Sequence, residues 1–231
     1  MKKIGVLTGA GISSESGIPT FRGADGLWEG HDIMDVASPQ GWEKDPHLVL
    51  DFYNQRRKNA RAVQPNAGHR ALVDLEKHYE VMVITQNVDN LHEQAGSSHV
   101  IHLHGELFKS RSTADESLVY DVDGWEVNWG DTCEKGSQLR PHIVWFGEQV
   151  PMMDVAQQAT AQADMLMVVG TSLQVYPAAG LLYEVAEGTP VYIIDPHTPD
   201  YAHQPSIHPI AEPASVGVPR LVQQLIEQAN R

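Results

Sequence analysis

The sequence predicts a doubly wound α/β fold, a parallel sheet with a second, smaller inserted module, and three observations predict it. Short apolar runs rich in Val, Ile, Leu and Met lack the alternation of a half-solvated strand, as parallel strands covered on both faces do. Stretches with apolar residues at helical spacing lie between several of these runs. The first run ends directly in the turn Gly9-Ala10-Gly11, at the kind of strand end where open α/β sheets hold ligands.

Taken in order, the strand candidates are residues 3–8, 81–85, 100–103, 142–146, 165–169 and 191–195. The helix candidate 67–79 puts Ala71, Leu72 and Leu75 on one face; 154–163 is alanine-rich, and 178–186 has apolar residues at helical spacing. Leu221, Val222, Leu225 and Ile226 form a last helical stripe. Strands alternating with helices give a sheet with helices on both faces. Two segments break the rhythm: 24–64, with Trp28, Trp42, Phe52 and Tyr53, and 106–141, where 117–122 and 125–129 suit a hairpin around Asp123-Gly124. These two are assigned to the inserted module, and 1–23, 65–105 and 142–231 to the main, Rossmann-like domain.

A chain of 231 residues suffices for one sizeable domain with an insert. No apolar run approaches the ~20 residues of a membrane span. The opening run stops at Thr8, short of an export signal's apolar core of about 7–15 residues, so it is read as the first strand and the protein as cytoplasmic. The single cysteine, Cys133, excludes an internal disulfide and a multi-thiolate metal site. A net charge of −14 disfavours nucleic acid; it would suit cationic partners such as lysine-rich proteins, or only keep the protein in solution, which is the preferred reading. Nothing in the sequence specifies an oligomeric state.

The residues that carry chemistry stand at strand ends. Glycines at 9 and 11 allow a tight turn and the approach of a pyrophosphate to a helix N-terminus, but Ser14 stands where the dehydrogenase fingerprint Gly-x-Gly-x-x-Gly has its third glycine. Gln86, Asn87 and Asp89 can bond ribose hydroxyls and a carboxamide, or simply cap a turn. His104 is the candidate general base, with His92, His99 and His102 nearby as competitors. Tyr53 and Arg56, three apart, share a helix face; the alternative is a solvated basic run with Arg57, Lys58 and Arg61, in which Arg57 points to another face.

Five motifs then appear in order. They are Gly9-Ala10-Gly11-Ile12-Ser13 continued by Gly17-Ile18-Pro19-Thr20-Phe21-Arg22; Thr85-Gln86-Asn87-Val88-Asp89-Asn90-Leu91-His92; Leu103-His104-Gly105-Glu106; Val144-Trp145-Phe146-Gly147-Glu148; and Gly170-Thr171-Ser172. Together they resemble the sirtuin family over nearly the whole chain, and most of all bacterial sirtuins of the desuccinylase-like class. The resemblance implies an NAD-dependent protein-lysine deacylase that removes acetyl and acidic acyl groups, succinyl or malonyl. NAD is consumed as co-substrate, leaving nicotinamide and O-acyl-ADP-ribose. By the same resemblance His104 deprotonates a ribose hydroxyl, and Asn87 and Asp89 serve the nicotinamide and water region. Gln86 is assigned to the ribose, Phe21 and Arg22 cover it, and Thr171 and Ser172 contact adenosine. Gly9, Ala10, Gly11, Ile12, Ser13, Gly170, Asp195 and Ala214 complete the implied cofactor contacts. Val144, Phe146 and Gly147 match the strand to which sirtuins add a substrate peptide, and Tyr53 with Arg56 the Tyr-x-x-Arg pair that recognises an acidic acyl group.

Two departures stand out. The family's structural zinc uses two cysteine pairs, but 109–113 holds no cysteine and 131–136 only Cys133, so zinc is predicted absent. Asp115, Glu116, Asp131 and Glu134 could offer carboxylates, which prefer harder ions. Apolar contacts from Val119, Tyr120, Trp125, Val127 and Trp129 are expected to replace the metal as the module's core. Asp195 replaces an asparagine facing the adenosine ribose; it can still accept both hydroxyls but selects against a 2′-phosphate. A dehydrogenase and a non-catalytic NAD sensor fit these residues less well; an ADP-ribosyltransferase differs only in the nucleophile, which the sequence does not separate.

Overall fold

Apolar runs without a polar face satisfy their backbone best as strands flanked on both sides and covered on both faces. The computed structural model describes residues 1–19, 27–197 and 206–230. Its elements begin with β1 (Lys3–Thr8), α1 (Ala10–Ser14), α2 (Ile33–Val36), α3 (Pro39–Lys44), α4 (Pro46–Ala60), α5 (Ala67–Leu75), β2 (Glu80–Thr85), α6 (Leu91–Ala95) and β3 (Val100–His102). There follow β4 (Gly105–Ser112), β5 (Val119–Asp121), β6 (Leu139–Ile143), α7 (Met153–Ala161), β7 (Met165–Val169), a 3-10 helix (Ala178–Tyr183), β8 (Val191–Ile194), β9 (Ile207–Ile210) and α8 (Ala214–Ala229).

Six strands form one parallel sheet in the order β3-β2-β1-β7-β8-β9. The first strand is central: Thr8 pairs with Thr85 on one side and Val169 on the other, so three loops leave the same edge together. Alternate residues of each strand feed opposite faces. Ile4, Val6, Val83 and Met167 pack beneath α5 and α8, through Leu72, Leu75, Val218 and Leu221. Leu7, Ile84, Leu166 and Val168 pack beneath Ala156 of α7 and Leu181 and Leu182 of the 3-10 helix. A third cluster joins α2 and α4 to the small sheet through Val36, Val49, Phe52, Tyr53, Leu107, Ile143 and Trp145. Among the described residues no helix is long and apolar enough to cross a membrane.

Two expectations are corrected and one unexpected strand is added. The 142–146 run is not a strand of the parallel sheet: β6 ends at Ile143 and belongs to an antiparallel sheet of order β5-β4-β6. The hairpin turns before β5, not at Asp123-Gly124: β5 pairs with Lys109–Arg111 of β4. The reason lies on α4, whose Asn54 accepts from Val127 N–H at 2.9 Å and donates to Val127 O at 3.1 Å, while Arg57 takes Trp125 O at 2.9 Å. These backbone groups are then no longer available to a hairpin. Finally, β9 carries Pro209, which an edge strand tolerates but which hid it from a strand pattern.

Two buried histidines lie under the carboxyl edge. His69, on the first turn of α5, accepts from Asn66 N–H at Nδ1 (3.3 Å), closing a capping box. His92 Nε2 lies 3.1 Å from Thr8 Oγ1, and the two rings are 4.9 Å apart. Burial, helped by the charge of Arg70, pushes His69 down to about 4; burial also holds His92 well below its usual range. Both are therefore neutral in the fold, whereas the unfolded chain protonates them near the ordinary histidine value. Between about pH 4 and 6.5 the unfolded state binds more protons, so stability is full above 6.5 and falls with pH below it. His69→Gln keeps a capping partner and removes the titration. In urea unfolding it should reduce the slope of stability against pH, across that window, by up to about 1.4 kcal/mol per pH unit; an unchanged slope would mean that His69 does not titrate with folding.

Candidate active site

The loops after β1 and β7 meet backbone to backbone. Gly9 N–H donates to Val169 O at 3.0 Å and Gly11 N–H to Gly170 O at 2.8 Å. A Cβ on Gly11 would stand 2.6 Å from Gly170 Cα, and one on Gly170, at φ +61, 2.5 Å from Ile12 N. These glycines are thus required by the contact between two loops, before any ligand approaches. Ala10 opens α1, while Ile12 and Ser13 are buried within it, so Ile12 has only backbone to offer a cofactor.

The loop after β2 is tied to this junction. Gln86 N–H donates to Thr8 O at 2.9 Å, and Gln86 Nε2 to Thr171 Oγ1 at 3.1 Å. Asn87 Nδ2 donates to Gly9 O and to Ser13 Oγ, each at 3.0 Å, which spends both amide hydrogens and leaves Oδ1 as an acceptor. Asp89 accepts from Leu91 N–H at 3.1 Å, and burial raises its carboxyl above the usual range.

The four competing histidines separate by their partners. His104 Nδ1 lies 3.0 Å from Gln86 O; a carbonyl only accepts, so Nδ1 carries the proton and Nε2 presents its lone pair. Burial pushes His104 below its ordinary value, against the pull of the Gln86 carbonyl, and keeps it an uncharged base at neutral pH. His102 faces Asn87 O at 3.1 Å and Glu93 Oε1 at 2.7 Å, so both nitrogens donate. Burial opposes that charge, but Glu93 outweighs it and His102 is raised. His92 is the buried neutral residue under Thr8, and His99 meets Ser98 Oγ at 3.0 Å. Gly105, at φ +84, follows His104 where the chain passes from the parallel to the antiparallel sheet; a Cβ there would collide with His142 O.

On the other side of His104, Val144 N–H donates to His104 O at 2.9 Å and Phe146 N–H to Ala37 O at 2.9 Å. The 144–147 segment is not a strand: Phe146 and Gly147, both exposed, form a turn with Gly147 at φ +90, closed by Glu148 N–H on Trp145 O at 3.0 Å. Trp145 Nε1 donates to Tyr53 Oη at 3.2 Å, which links the His104 region to α4. Tyr53 is fully buried, and desolvation raises it to about 12. Arg56 is only 8 % exposed, stacks on Trp28 at 4.3 Å and lies 3.2 Å from Glu29 Oε1. That contact is off the hydrogen-bond line, and Arg56 Nε and Nη1 have no hydrogen-bond partner. Burial lowers the Arg56 guanidinium, while Glu29, Tyr53 and Asp89 favour its charge.

Arg57 corrects the idea of a solvated basic face. It is fully buried, bonded to Trp125 O, to Leu107 O at 3.4 Å and to Asn54 Oδ1 at 2.6 Å, and burial lowers it to about 10. The helix is covered on two sides, so a residue off the Tyr53–Arg56 face need not face water.

Of the remaining expected cofactor residues, Thr171 Oγ1 accepts from Leu173 N–H at 3.2 Å, and Ser172 is exposed beside it. Asp195 follows β8 and accepts from His197 N–H at 2.8 Å. Ala214 begins α8 with its methyl inside the first core cluster. Phe21 and Arg22 lie outside the described residues.

The segments 109–113 and 131–136 do come together, through polar contacts. Cys133 Sγ donates to Ser112 Oγ at 3.2 Å, and Ser112 Oγ also accepts from Ala114 and Asp115 N–H. Thr113 meets Ser137 at 2.7 Å, Lys135 pairs with Asp115 at 2.7 Å, and Tyr120 donates to Glu134 at 2.5 Å. The Lys135 hydrogen bond, with those of Ser117, holds the Asp115 carboxyl down to about 2. One thiol does not fit a tetrahedral zinc site, and no group of three or more His, Cys, Asp or Glu could hold a metal among the described residues. The expected apolar core is corrected: Val127 is buried, but Val119 is 38 % and Trp129 55 % exposed.

Sequence reasoning missed Glu29, Glu93 with His102, and Glu148. A period of two places His102 and His104 on one side of an extended chain, a signal for the pair. Glu148 closes the 144–148 motif, but nothing local marks its partners: it accepts from Arg140 Nη1 at 2.6 Å and from Trp145 N–H at 2.8 Å.

Comparison with known proteins places this geometry. The model of the Sir2 family matches residues 9–177. An NAD-dependent protein deacylase of Helicobacter pylori is 55% identical over 233 residues, covering 100% of both chains. One from Bacteroides thetaiotaomicron is 52% identical over 231 residues, covering 98% of this chain and 99% of its own. A crystal structure of a Sir2 homolog–NAD complex superposes with a TM-score of 0.89 at 39% identity, over 99% of this chain and 91% of that one.

The polar clasp around Ser112 generates a prediction. Chelators should leave the thermal midpoint unchanged. Ser112→Ala should lower stability by about 1–3 kcal/mol, because the buried Cys133 thiol and two N–H groups lose their acceptor. Elemental analysis finding one tightly held zinc per chain would overturn this account.

Proposed function

This chain belongs to the Sir2 family, and from that premise we propose that the carboxyl-edge site is the active centre of an NAD-dependent protein-lysine deacylase with Tyr53 and Arg56 at its acyl end. The observation that carries the catalytic reading is His104, fixed by its Nδ1 proton on Gln86 O with a free lone pair on Nε2. NAD supplies an activated ribose whose bond to nicotinamide is exchanged for one to the acyl oxygen. His104 Nε2 would take the proton of a ribose hydroxyl as that oxygen bonds to the acyl carbon; a water would then add to the same carbon as its bond to the lysine nitrogen breaks, so that free lysine and O-acyl-ADP-ribose leave. Asn87, with its amide hydrogens held by Gly9 and Ser13, offers Oδ1 to orient the carboxamide and the attacking water. Asp89 and Gln86 serve the nicotinamide and ribose beside it. The loops of Gly9–Ser13 and Gly170–Ser172 take the phosphates and adenosine, with the backbone of Ala214; Asp195 accepts the adenosine ribose hydroxyls. Phe21 and Arg22 are assigned to covering the reacting ribose. The peptide lies along Val144, Phe146 and Gly147. A cytoplasmic setting belongs to the same reading.

The acyl preference rests on Arg56. Buried donors without acceptors are rare because each costs about 1–3 kcal/mol. A carboxylate at the end of a succinyl or malonyl chain would supply the missing acceptor to Nε and Nη1, with the Tyr53 hydroxyl as a third partner.

Two outcomes test this function. His104→Ala should lower deacylation by about 10²–10⁴-fold without loss of fold. Because the base must be unprotonated and burial lowers it, kcat/KM of the parent should lose activity only below pH 6.5; an inflection above that value would contradict the assignment. Arg56→Met should lower kcat/KM for a succinyl-lysine peptide by about one to two orders of magnitude and leave the acetyl peptide within a few-fold. The exposed Arg61→Gln is the charge-matched control, since Arg57 is structural. Equal losses on both peptides would reduce Arg56 to a supporting residue.

A further inference from the structure

Arg56 already faces a carboxylate of its own chain. Trp28 and His31 form an isolated antiparallel bridge, closed by reciprocal bonds of 2.9 and 3.0 Å. The two residues between them, Glu29 and Gly30, have φ of +49° and +84°, as a type I′ turn requires. Glycine accepts that conformation freely and asparagine or aspartate tolerates it; glutamate at positive φ is uncommon, and such outliers gather at functional positions. The turn aims two groups at one target: the Trp28 ring lies 4.3 Å from the Arg56 guanidinium, and Glu29 Oε1 3.2 Å from Nη1. The contact is incomplete, since Nε and Nη1 make no hydrogen bond. An ion pair held by one off-line contact, with Glu29 26 % exposed, is more easily exchanged than a bidentate one.

We propose that Glu29 is a specificity-determining residue, an internal stand-in for the acyl carboxylate that occupies Arg56 and that an acidic acyl chain must displace. This rests on the reading of Tyr53 and Arg56 as the acyl end of the site. An acetyl group leaves the Glu29–Arg56 pair in place. A succinyl group competes with it, so the pair taxes acidic substrates alone and sets the ratio between the two activities. The effect falls on binding: removing the competitor lowers KM for the acidic substrate and leaves kcat unchanged.

The test uses one peptide sequence in succinylated and acetylated form with NAD, and the full-length parent, Glu29→Gln, Glu29→Asn and Arg56→Met. Asparagine suits the turn better than glutamate, so Glu29→Asn removes the charge with the turn intact. The expected result is a succinyl-to-acetyl ratio of kcat/KM about tenfold higher in both Glu29 variants, through a lower succinyl KM. If Arg56→Met lowers the ratio while the Glu29 variants leave it unchanged, the acyl reading stands and Glu29 is no competitor. A ratio that falls in the Glu29 variants would make Glu29 a support that holds Arg56 for the substrate, and would also overturn the proposal. If Arg56→Met leaves the ratio unchanged, the acyl reading itself fails, and the role of Glu29 with it.

Discussion

The approach of Gly11 to Gly170 is the contact on which the site hangs. Two backbones pass where no Cβ fits, and this locks the loop after the central strand to the loop after its neighbour. Everything else is tied to that lock by hydrogen bonds. Asn87 reads the carbonyl of Gly9, His102 reads the carbonyl of Asn87, and His104 reads the carbonyl of Gln86. Each imidazole takes its protonation state from what it faces, a carbonyl alone for His104 and a carbonyl plus Glu93 for His102. The same ring thus becomes a free base at one position and a cationic strut two residues earlier.

The parallel sheet was legible because burial on both faces forbids polar alternation, and that pattern survives in a single sequence. The His104-Gly105 pair was legible as a motif, and the junction of two sheets demands its glycine. What stayed hidden was decided by distant partners. Arg57 looks like a surface residue in a basic run, yet its donors are consumed by Trp125, Leu107 and Asn54. β9 has two exposed residues, His208 and Pro209, and only its place at the sheet's edge makes it a strand. The 125–129 stretch has strand-like composition, but α4 claims its backbone first.

The ribbon shows how a small module can be closed without thiolates. Hydrogen bonds and ion pairs among Ser112, Cys133, Thr113, Ser137, Asp115 and Lys135 spread over several positions what four metal bonds would concentrate at one. The exposed ones among them, such as Lys135 with Asp115, are individually worth little. The module therefore leans on α4, where Asn54 and Arg57 reach across from buried positions.

The central place of β1 also bears on how the chain is made. Its first pairing partner, β2, begins at Glu80, and its second, β7, begins only at Met165. At the usual pace of translation, about 5–20 residues per second, Gly11 would wait on the order of ten to thirty seconds for Gly170 to be synthesised. Throughout that interval one edge of a short apolar strand has no neighbour. An unpaired edge of this kind is open to other chains for that long, and the Gly11–Gly170 contact can form only once Gly170 has emerged.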